Sequence, residues 1–292
     1  MKHFIDLSSL RISDMEEILD ISYKVKLDPS LYSDALEHKK IGLYFEKPSM
    51  RTRVSFEVGI SELGGFPISL QPSEIQMGTR ESVADVARVL SRYLDAVMMR
   101  VDRHSDLTEF AEYSDISVIN GLSDFSHPCQ AMADMLTIQE YKKGKSCRIV
   151  YIGDGNNVCN SLIKASSILG YEMRVSCPRG YEPAISPKEV PYSVIYDPLV
   201  AVEGADVIYT DVWTSMGQEA EVFVRRKVFE KYRVSMKLLM EASSNCIFMH
   251  CLPAHRGEEV DAEVIDGPNS VVFDQAENRL HAQKGILIWL LK

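Results

Sequence analysis

The sequence predicts an α/β protein of two domains, each a mostly parallel sheet with helices on both faces, joined by a connector helix and finished by a C-terminal crossing helix. Two observations predict it. Strand-length apolar runs alternate with segments of helical periodicity, and they do so both before and after the basic break Lys142-Lys-Gly-Lys145. At 292 residues the chain has room for two cores of ordinary size. The expected division is 1–143 and 144–274, with a terminal helix over 275–292 packed back on the first domain.

Ser13-Asp-Met-Glu16 reads as a capping box, and Met15, Ile18, Leu19 and Ile21 give the first helix a buried side. Residues 41–45 are a short apolar strand. It delivers the chain to Phe45-Glu-Lys-Pro-Ser-Met-Arg-Thr-Arg-Val-Ser-Phe-Glu57. Pro48 fixes the backbone, Ser49 caps the helix that follows, and Val54, Val58 and Leu63 are its expected buried face. Arg51, Thr52 and Arg53 crowd the first turn, where basic charge opposes the helix dipole. Free N–H groups, hydroxyls and guanidinium forks in one small volume point to a bound anion, and phosphate fits best. An ordinary capped helix with its arginines in solvent is the competing reading.

Residues 66–70 form a second strand, a polar loop runs over 71–80, and Val83, Val86, Ala87 and Leu90 mark a helix. Residues 96–101 are a third strand, with Arg100 at its end. A short helix around Leu107, Phe110 and Ala111 leads to the strand at 116–119. His127-Pro-Cys-Gln130 then opens a long helix. Pro128 suits the first turn, and Ala131, Met135, Leu136 and Ile138 supply the buried side. Arg100, His127 and Gln130 thus fall where strands end and helices begin, which is where parallel sheets bind ligands. A histidine at a helix start serves equally as a cap or a packing residue.

In the second half, residues 147–152 are a strand, and Gly153-Asp-Gly-Asn-Asn157 turns into a helix bearing Leu162, Ile163 and Leu169. The turn begins like a dinucleotide fingerprint. Val158 holds the third glycine position, however, and the strand at 173–177 ends without an acid for a ribose. Prolines punctuate a surface loop over 180–191. A strand at 193–196, a helix at 198–204 and a strand at 206–210 follow. Asp211, at a strand end, can hold an ammonium group, with Ser215 and backbone groups for the rest of an amino acid. A solvated acidic turn competes with that reading. Residues 245–253 form a buried strand ending in His250 and Cys251, which with His255 invite a zinc reading. Adjacent residues of an extended chain point to opposite faces and no second pair completes four ligands, so no metal is expected. The tail carries Arg279 and an apolar end over 286–291.

Asp and Glu number 42 against 32 Lys and Arg, an acidic balance that argues against nucleic acid or an anionic membrane as partner. Inside such a chain the Arg51/Arg53 cluster reads as a pocket. No apolar run reaches the length of a membrane span, and the first residues lack the apolar core of a signal peptide. The six cysteines have no paired spacing, the pattern of reduced thiols in a cytoplasmic protein.

Together these segments resemble the aspartate/ornithine carbamoyltransferase family, nearly end to end. The resemblance is carried by residues 45–57 (Ser-Thr-Arg-Thr-Arg in the family), His127-Pro-Cys-Gln130, Asp211 with Ser215-Met-Gly217, and His250-Cys-Leu-Pro253. The last two favour ornithine over aspartate as acceptor. The resemblance implies carbamoyl transfer from carbamoyl phosphate to the δ-amine of L-ornithine, giving citrulline and phosphate in arginine metabolism. It also implies a homotrimer or a multiple of trimers and no cofactor.

Residue by residue, it implies that Ser49, Met50 (through its N–H), Arg51 and Thr52 grip the phosphate. Arg100, His127 and Gln130 orient and polarise the carbamoyl group, with Arg279 near its oxygen. Gln76 matches a loop that in the family reaches a neighbouring subunit's site. Asn157, Asp211, Ser215 and Met216 hold the amino-acid end of ornithine, and Cys251 and Leu252 lie beside the reacting amine. Met50 departs from the family, which usually has threonine there, so a hydroxyl donor is lost and a thioether is expected beside the phosphate. The connection over 183–192 is also shorter than usual. Three rival readings are a carbamoyltransferase with another amine acceptor, a nicotinamide oxidoreductase resting on Gly153-x-Gly155, and a metabolite-binding paralogue without turnover.

Overall fold

The computed structural model describes residues 2–143, 146–214 and 219–292. The chain separates into two compact units, Met1–Leu136 with Glu277–Lys292, and Thr137–Ala276. The border at 136/137 lies inside the helix that the sequence pattern assigns whole to the first domain.

In the first unit the order is α1 (Ile12–Leu27), β1 (Lys40–Phe45), α2 (Met50–Glu62), β2 (Phe66–Leu70), α3 (Pro72–Ile75), α4 (Val83–Leu90), β3 (Ala96–Arg100), α5 (His104–Glu112), β4 (Ser117–Leu122) and the start of α6 (Pro128–Lys142). α1 starts one residue before the predicted box. Arg11 is its N-cap, and Asp14 accepts both the Arg11 N–H, at 3.0 Å, and its guanidinium, at 2.9 Å. The sheet runs β2-β1-β3-β4 with every pair parallel. Tyr44, Val86, Val97, Phe110 and Val118 belong to one core cluster on it. The direction of winding reverses between β1 and β3, which opens a crevice at the carboxyl ends of those two strands. α2 begins at that crevice and Arg100 ends at it.

The predicted buried face of α2 is corrected at its two valines, while Leu63 is buried as expected. Thr52, Phe56, Gly59 and Ile60 are buried, continued by Leu63, whereas Val54 and Val58 are 48% and 39% exposed. The valine stripe runs on to Glu62, so it has no third apolar member at helical spacing. The 52-56-59-60-63 stripe keeps that spacing and carries three large side chains, Phe56, Ile60 and Leu63. Gly59 lets the C-terminal helix approach, since a Cβ there would lie 3.3 Å from Leu280 Cδ1 and Lys284 Cγ.

The second unit holds the rest of α6, β5 (Arg148–Ile152), α7 (Asn157–Ile168), β6 (Glu172–Ser176), β7 (Ser193–Val194), α8 (Pro198–Ala201), β8 (Val207–Thr210), α9 (Val222–Phe229), α10 (Met236–Glu241), β9 (Ile247–His250) and α11 (Ala262–Ile265). The last helix, α12 (Val272–Leu291), begins in this unit and continues into the first. The five strands run β7-β6-β5-β8-β9, all parallel, and the winding reverses between β5 and β8. The 153–157 turn and Asp211 both sit at that second reversal. Val150, Ile208, Phe229 and Phe248 anchor the core, with Trp213 stacked on Phe229 at 5.9 Å. Trp213 is thus a packing residue. Two predicted elements are shorter than expected: β7 keeps two residues and α8 stops at Ala201. No helix among the described residues is long and apolar enough to cross a membrane.

Candidate active site

The first crevice gathers most of the predicted anion-binding residues. Ser49 caps α2, and its hydroxyl accepts the Thr52 N–H at 3.4 Å and donates to Thr52 Oγ1 at 3.1 Å. Arg279, 4% exposed, donates from Nη2 to Thr52 Oγ1 at 2.6 Å and from Nη1 to Gln130 Oε1 at 3.0 Å. One guanidinium therefore ties α12 to the starts of both α2 and α6. His127 is buried at the turn before α6, and Asn120 builds that turn by donating to Ile5 O at 2.8 Å and Ser126 O at 3.3 Å. Burial, then Arg279 and Arg100, hold the His127 imidazole well below its ordinary 6.5, so it is neutral at physiological pH.

Arg51 and Arg53 have different fates. Arg53 turns outward and donates to Glu57 at 3.0 Å, which removes it from the expected cluster. The Arg51 side chain is half-buried and has no protein partner among the described residues. Met50 is the first residue of α2, and its side chain is 69% exposed. Its backbone N–H is among the free amides of the first turn, and its thioether is largely in solvent. Gln76 sits apart on an exposed loop, in left-handed conformation, donating to Ser73 O at 3.2 Å.

In the second unit, Asp211 is the hub. Its carboxylate accepts from Asn156 Nδ2 at 2.8 Å, Val212 N at 2.8 Å and Cys251 Sγ at 3.0 Å. Asn156 also caps α7, its Oδ1 accepting from Val158 N at 3.0 Å and Cys159 N at 3.1 Å. Asn157, the predicted ligand, is the next residue and the first of the helix. Leu252 follows Cys251 with φ of 58°, its N–H held by His250 Nδ1 at 2.8 Å. Burial pushes the nearby Asp154 carboxyl up to about 6, against Arg225 at 3.2 Å. Ser215 and Met216 lie outside the described residues.

Sequence reasoning missed Asn156, the residue that reaches Asp211. The available signal was its place as cap, since the residue before a helix has its side chain turned back over the first amides. The glycines of the 153–155 turn serve the chain itself. A Cβ on Gly155 would lie 2.3 Å from Pro183 N, and Gly155 N donates to Tyr181 O at 2.9 Å. Backbone fills the space that a pyrophosphate would need, which removes the support for a nicotinamide reading.

His250 and Cys251 do not diverge as adjacent residues of a regular strand would. Asp211, His250 and Cys251 bring ligand atoms within 4.8 Å of one another, as do His255, Glu258 and Glu259. Both ring nitrogens of His250 are nevertheless engaged, one by Leu252 N–H and the other by Glu259 Oε1 at 3.2 Å, and Glu258 is held by Arg226. A groove of about 740 Å³ beside Tyr196, Lys231, Arg233 and Asp261 contains none of the predicted site residues.

Known proteins with this arrangement are consistent on both units. Residues 2–140 match the family described as aspartate/ornithine carbamoyltransferase, carbamoyl-P binding domain, and residues 145–290 match its Asp/Orn binding domain. The ornithine carbamoyltransferase of Archaeoglobus fulgidus is 50% identical over 302 residues, covering 100% of this chain and 98% of that one. The anabolic ornithine carbamoyltransferase of Pyrococcus furiosus is 53% identical over 264 residues, covering 86% of this chain and 84% of that one. A solved structure of ornithine carbamoyltransferase from Pyrococcus furiosus superposes with a TM-score of 0.94 at 47% identity, covering 99% of this chain and 97% of that one. Two sheets with a ligand-type crevice at each reversal, matched over their whole length at this identity, leave one conclusion: the chain belongs to the aspartate/ornithine carbamoyltransferase family.

Proposed function

We infer that this chain transfers the carbamoyl group of carbamoyl phosphate to the δ-amine of L-ornithine, releasing L-citrulline and phosphate. What carries the reading is the pairing of Arg51, which has no protein partner among the described residues, with the bonded set Thr52–Arg279–Gln130. An anion-ready guanidinium at free helix amides, next to a second, buried guanidinium and a polar amide, is the chemistry of a phosphorylated acyl donor. The test is citrulline formation by the purified protein with carbamoyl phosphate and either ornithine, putrescine, N-acetylornithine or aspartate. Ornithine is expected to react fastest. Faster turnover of putrescine would overturn the roles given below to Asp211 and its neighbours.

In the proposed mechanism Ser49, the Met50 N–H, Arg51 and Thr52 bind the phosphate. Arg100, His127 and Gln130 orient the carbamoyl group. Asp211 holds the α-ammonium of ornithine, Asn157, Ser215 and Met216 hold the rest of its amino-acid end, and Cys251 and Leu252 adjoin the δ-nitrogen. Desolvation there favours the neutral amine, which is the form that attacks. The nitrogen bonds to the carbonyl carbon, negative charge develops on its oxygen, and Thr52, Arg100, His127 and Arg279 stabilise it. The carbon–oxygen bond to phosphate then breaks, and the departing phosphate accepts the amine's proton. No protein base is required.

A neutral His127 acts as a hydrogen-bond donor and not as a titrating acid. The acid limb of kcat/KM for ornithine is therefore expected to belong to the substrate amine and to survive unchanged in position in His127→Asn, although the rate falls. A limb that shifts with this substitution would contradict the neutral imidazole. The sign for stability is also set. Stability linked to a depressed histidine is complete above about 6.5 and is lost as the pH falls below it, because the unfolded chain takes up the proton first.

Met50→Thr would add a hydroxyl at the first position of α2. It is expected to tighten carbamoyl phosphate binding by about 0.5–1.5 kcal/mol, or roughly two- to tenfold in KM. Unchanged KM would mean that the backbone amide alone matters at this position.

A homotrimer is supported by the uncovered apolar side chains of α2 and the edge strand β2: Val54, Val58, Phe66 and Ile68 are 48%, 39%, 58% and 37% exposed. The exposed Gln76 loop suits contact with a neighbouring copy. A solution mass of three chains, or a multiple of three, is the expected result by light scattering. A biosynthetic role in arginine metabolism accords with the relative named as anabolic.

A further inference from the structure

Behind the anion site lies a carboxylate with no role so far. Asp134 is one turn along α6 from Gln130, fully buried, and its Oδ1 accepts a hydrogen bond from Gln130 Nε2 at 2.9 Å. At the other end of the same amide, Gln130 Oε1 accepts from Arg279 Nη1 at 3.0 Å. Asp134 Oδ1 is the acceptor in its contact with Gln130 Nε2, and a guanidinium only donates. An amide held between them has one sensible orientation, nitrogen toward Asp134 and oxygen toward Arg279. A flipped amide would set acceptor against acceptor at one end and donor against donor at the other.

We propose that Asp134 is a specificity-determining positioning residue: it presents Gln130 to the substrate as an acceptor that selects the amide nitrogen of carbamoyl phosphate. The inference rests on the reading that Gln130 touches the carbamoyl group. Gln130 Oε1 has a second lone pair beyond the one that Arg279 uses. Carbamoyl phosphate offers it an NH₂ group. Acetyl phosphate has nearly the same shape and the same phosphate but offers a methyl, leaving a buried oxygen unsatisfied. Asp134 acts twice on this choice. It fixes which end of the amide faces the site, and by drawing on the Nε2–H it raises the electron density on Oε1. Asp134 itself reaches no reacting atom.

The test compares two ligands on the whole protein. KM for carbamoyl phosphate and the inhibition constant of acetyl phosphate as its competitor are measured for wild type, Asp134→Asn and Gln130→Ala. In Asp134→Asn the carbamoyl phosphate KM is expected to rise about tenfold while the acetyl phosphate constant stays within about twofold, so the selectivity ratio falls. A residue that merely braces α6 would weaken both ligands together, and an unmoved ratio in Asp134→Asn overturns the proposal. Gln130→Ala separates the two layers of the argument. If it keeps the wild-type ratio, the reading of Gln130 itself fails. If it lowers the ratio and Asp134→Asn does not, only the role of Asp134 fails. Should the asparagine variant not fold, Asp134→Glu is read in the same way, because moving the carboxylate by one methylene breaks the fixed geometry without removing the charge.

Discussion

Replacing Arg51 by methionine is expected to lower kcat/KM for carbamoyl phosphate by roughly 10²- to 10³-fold, while Arg53→Met stays within about twofold of wild type. The two arginines are two residues apart on one helical turn and share a charge, so composition and spacing treat them alike and only the family resemblance singles out Arg51. Arg53 is already spent on Glu57, in an exposed pair one turn along the helix. Such pairs contribute about 0.3–0.5 kcal/mol to stability and nothing to a site they face away from. Arg51 has no such partner among the described residues. A guanidinium that binds a phosphate dianion makes charge-assisted hydrogen bonds worth about 1.5–3 kcal/mol each, and a two-pronged grip supplies the expected loss. Because phosphate is bound in ground and transition states alike, most of the loss falls on KM. Steady-state kinetics on both variants, with folding checked by thermal melting, decides it. Comparable losses in the two would mean that the Arg53–Glu57 pair opens on binding and that both arginines grip the anion.

That contrast marks where sequence stops being informative. The β1–turn–α2 stretch was legible because its signals are local: a proline, a capping serine, and donors crowded where only an anion satisfies them. The two parallel sheets were legible from alternation alone. The inward face of α2 was not, because Val54 and Val58 satisfy helical spacing as well as Phe56 and Ile60 do over a single turn. Only the full stripe separates them: from Val58 the next turn reaches Glu62, and Leu63, the predicted third member, continues Phe56 and Ile60 instead. Asn156, legible only as a helix cap, and Asp134 were missed for a different reason. Each acts through one side-chain contact whose partner is set by the course of the backbone, Asp211 for the first and the orientation of Gln130 for the second. The convergence of His250 and Cys251 was hidden for the same reason. Opposite pointing holds along a regular strand, and Cys251 stands just past the end of β9, where the chain has already turned.

Asp211→Asn is the substitution expected to hurt most on the amino-acid side, lowering kcat/KM for ornithine by roughly 10²- to 10³-fold and leaving carbamoyl phosphate affinity unchanged. Two losses combine. The negative charge that would face the α-ammonium disappears, and removing one member of a desolvated charge pair costs about 2–5 kcal/mol. The replacement also fits poorly where it stands. Asp211 accepts from Asn156, the Val212 N–H and Cys251, so every neighbour in this list is a donor. Asparagine must turn an NH₂ group toward one side of that set, placing donor against donor. Putrescine distinguishes charge recognition from general damage. It lacks the α-ammonium, so its slow reaction has no such contact to lose and should fall by no more than about fivefold. If putrescine and ornithine fall together, Asp211 acts at the reacting amine, through Cys251, and not at the far end of the substrate. The same pair of measurements therefore tests the role of the residue and the direction in which ornithine lies.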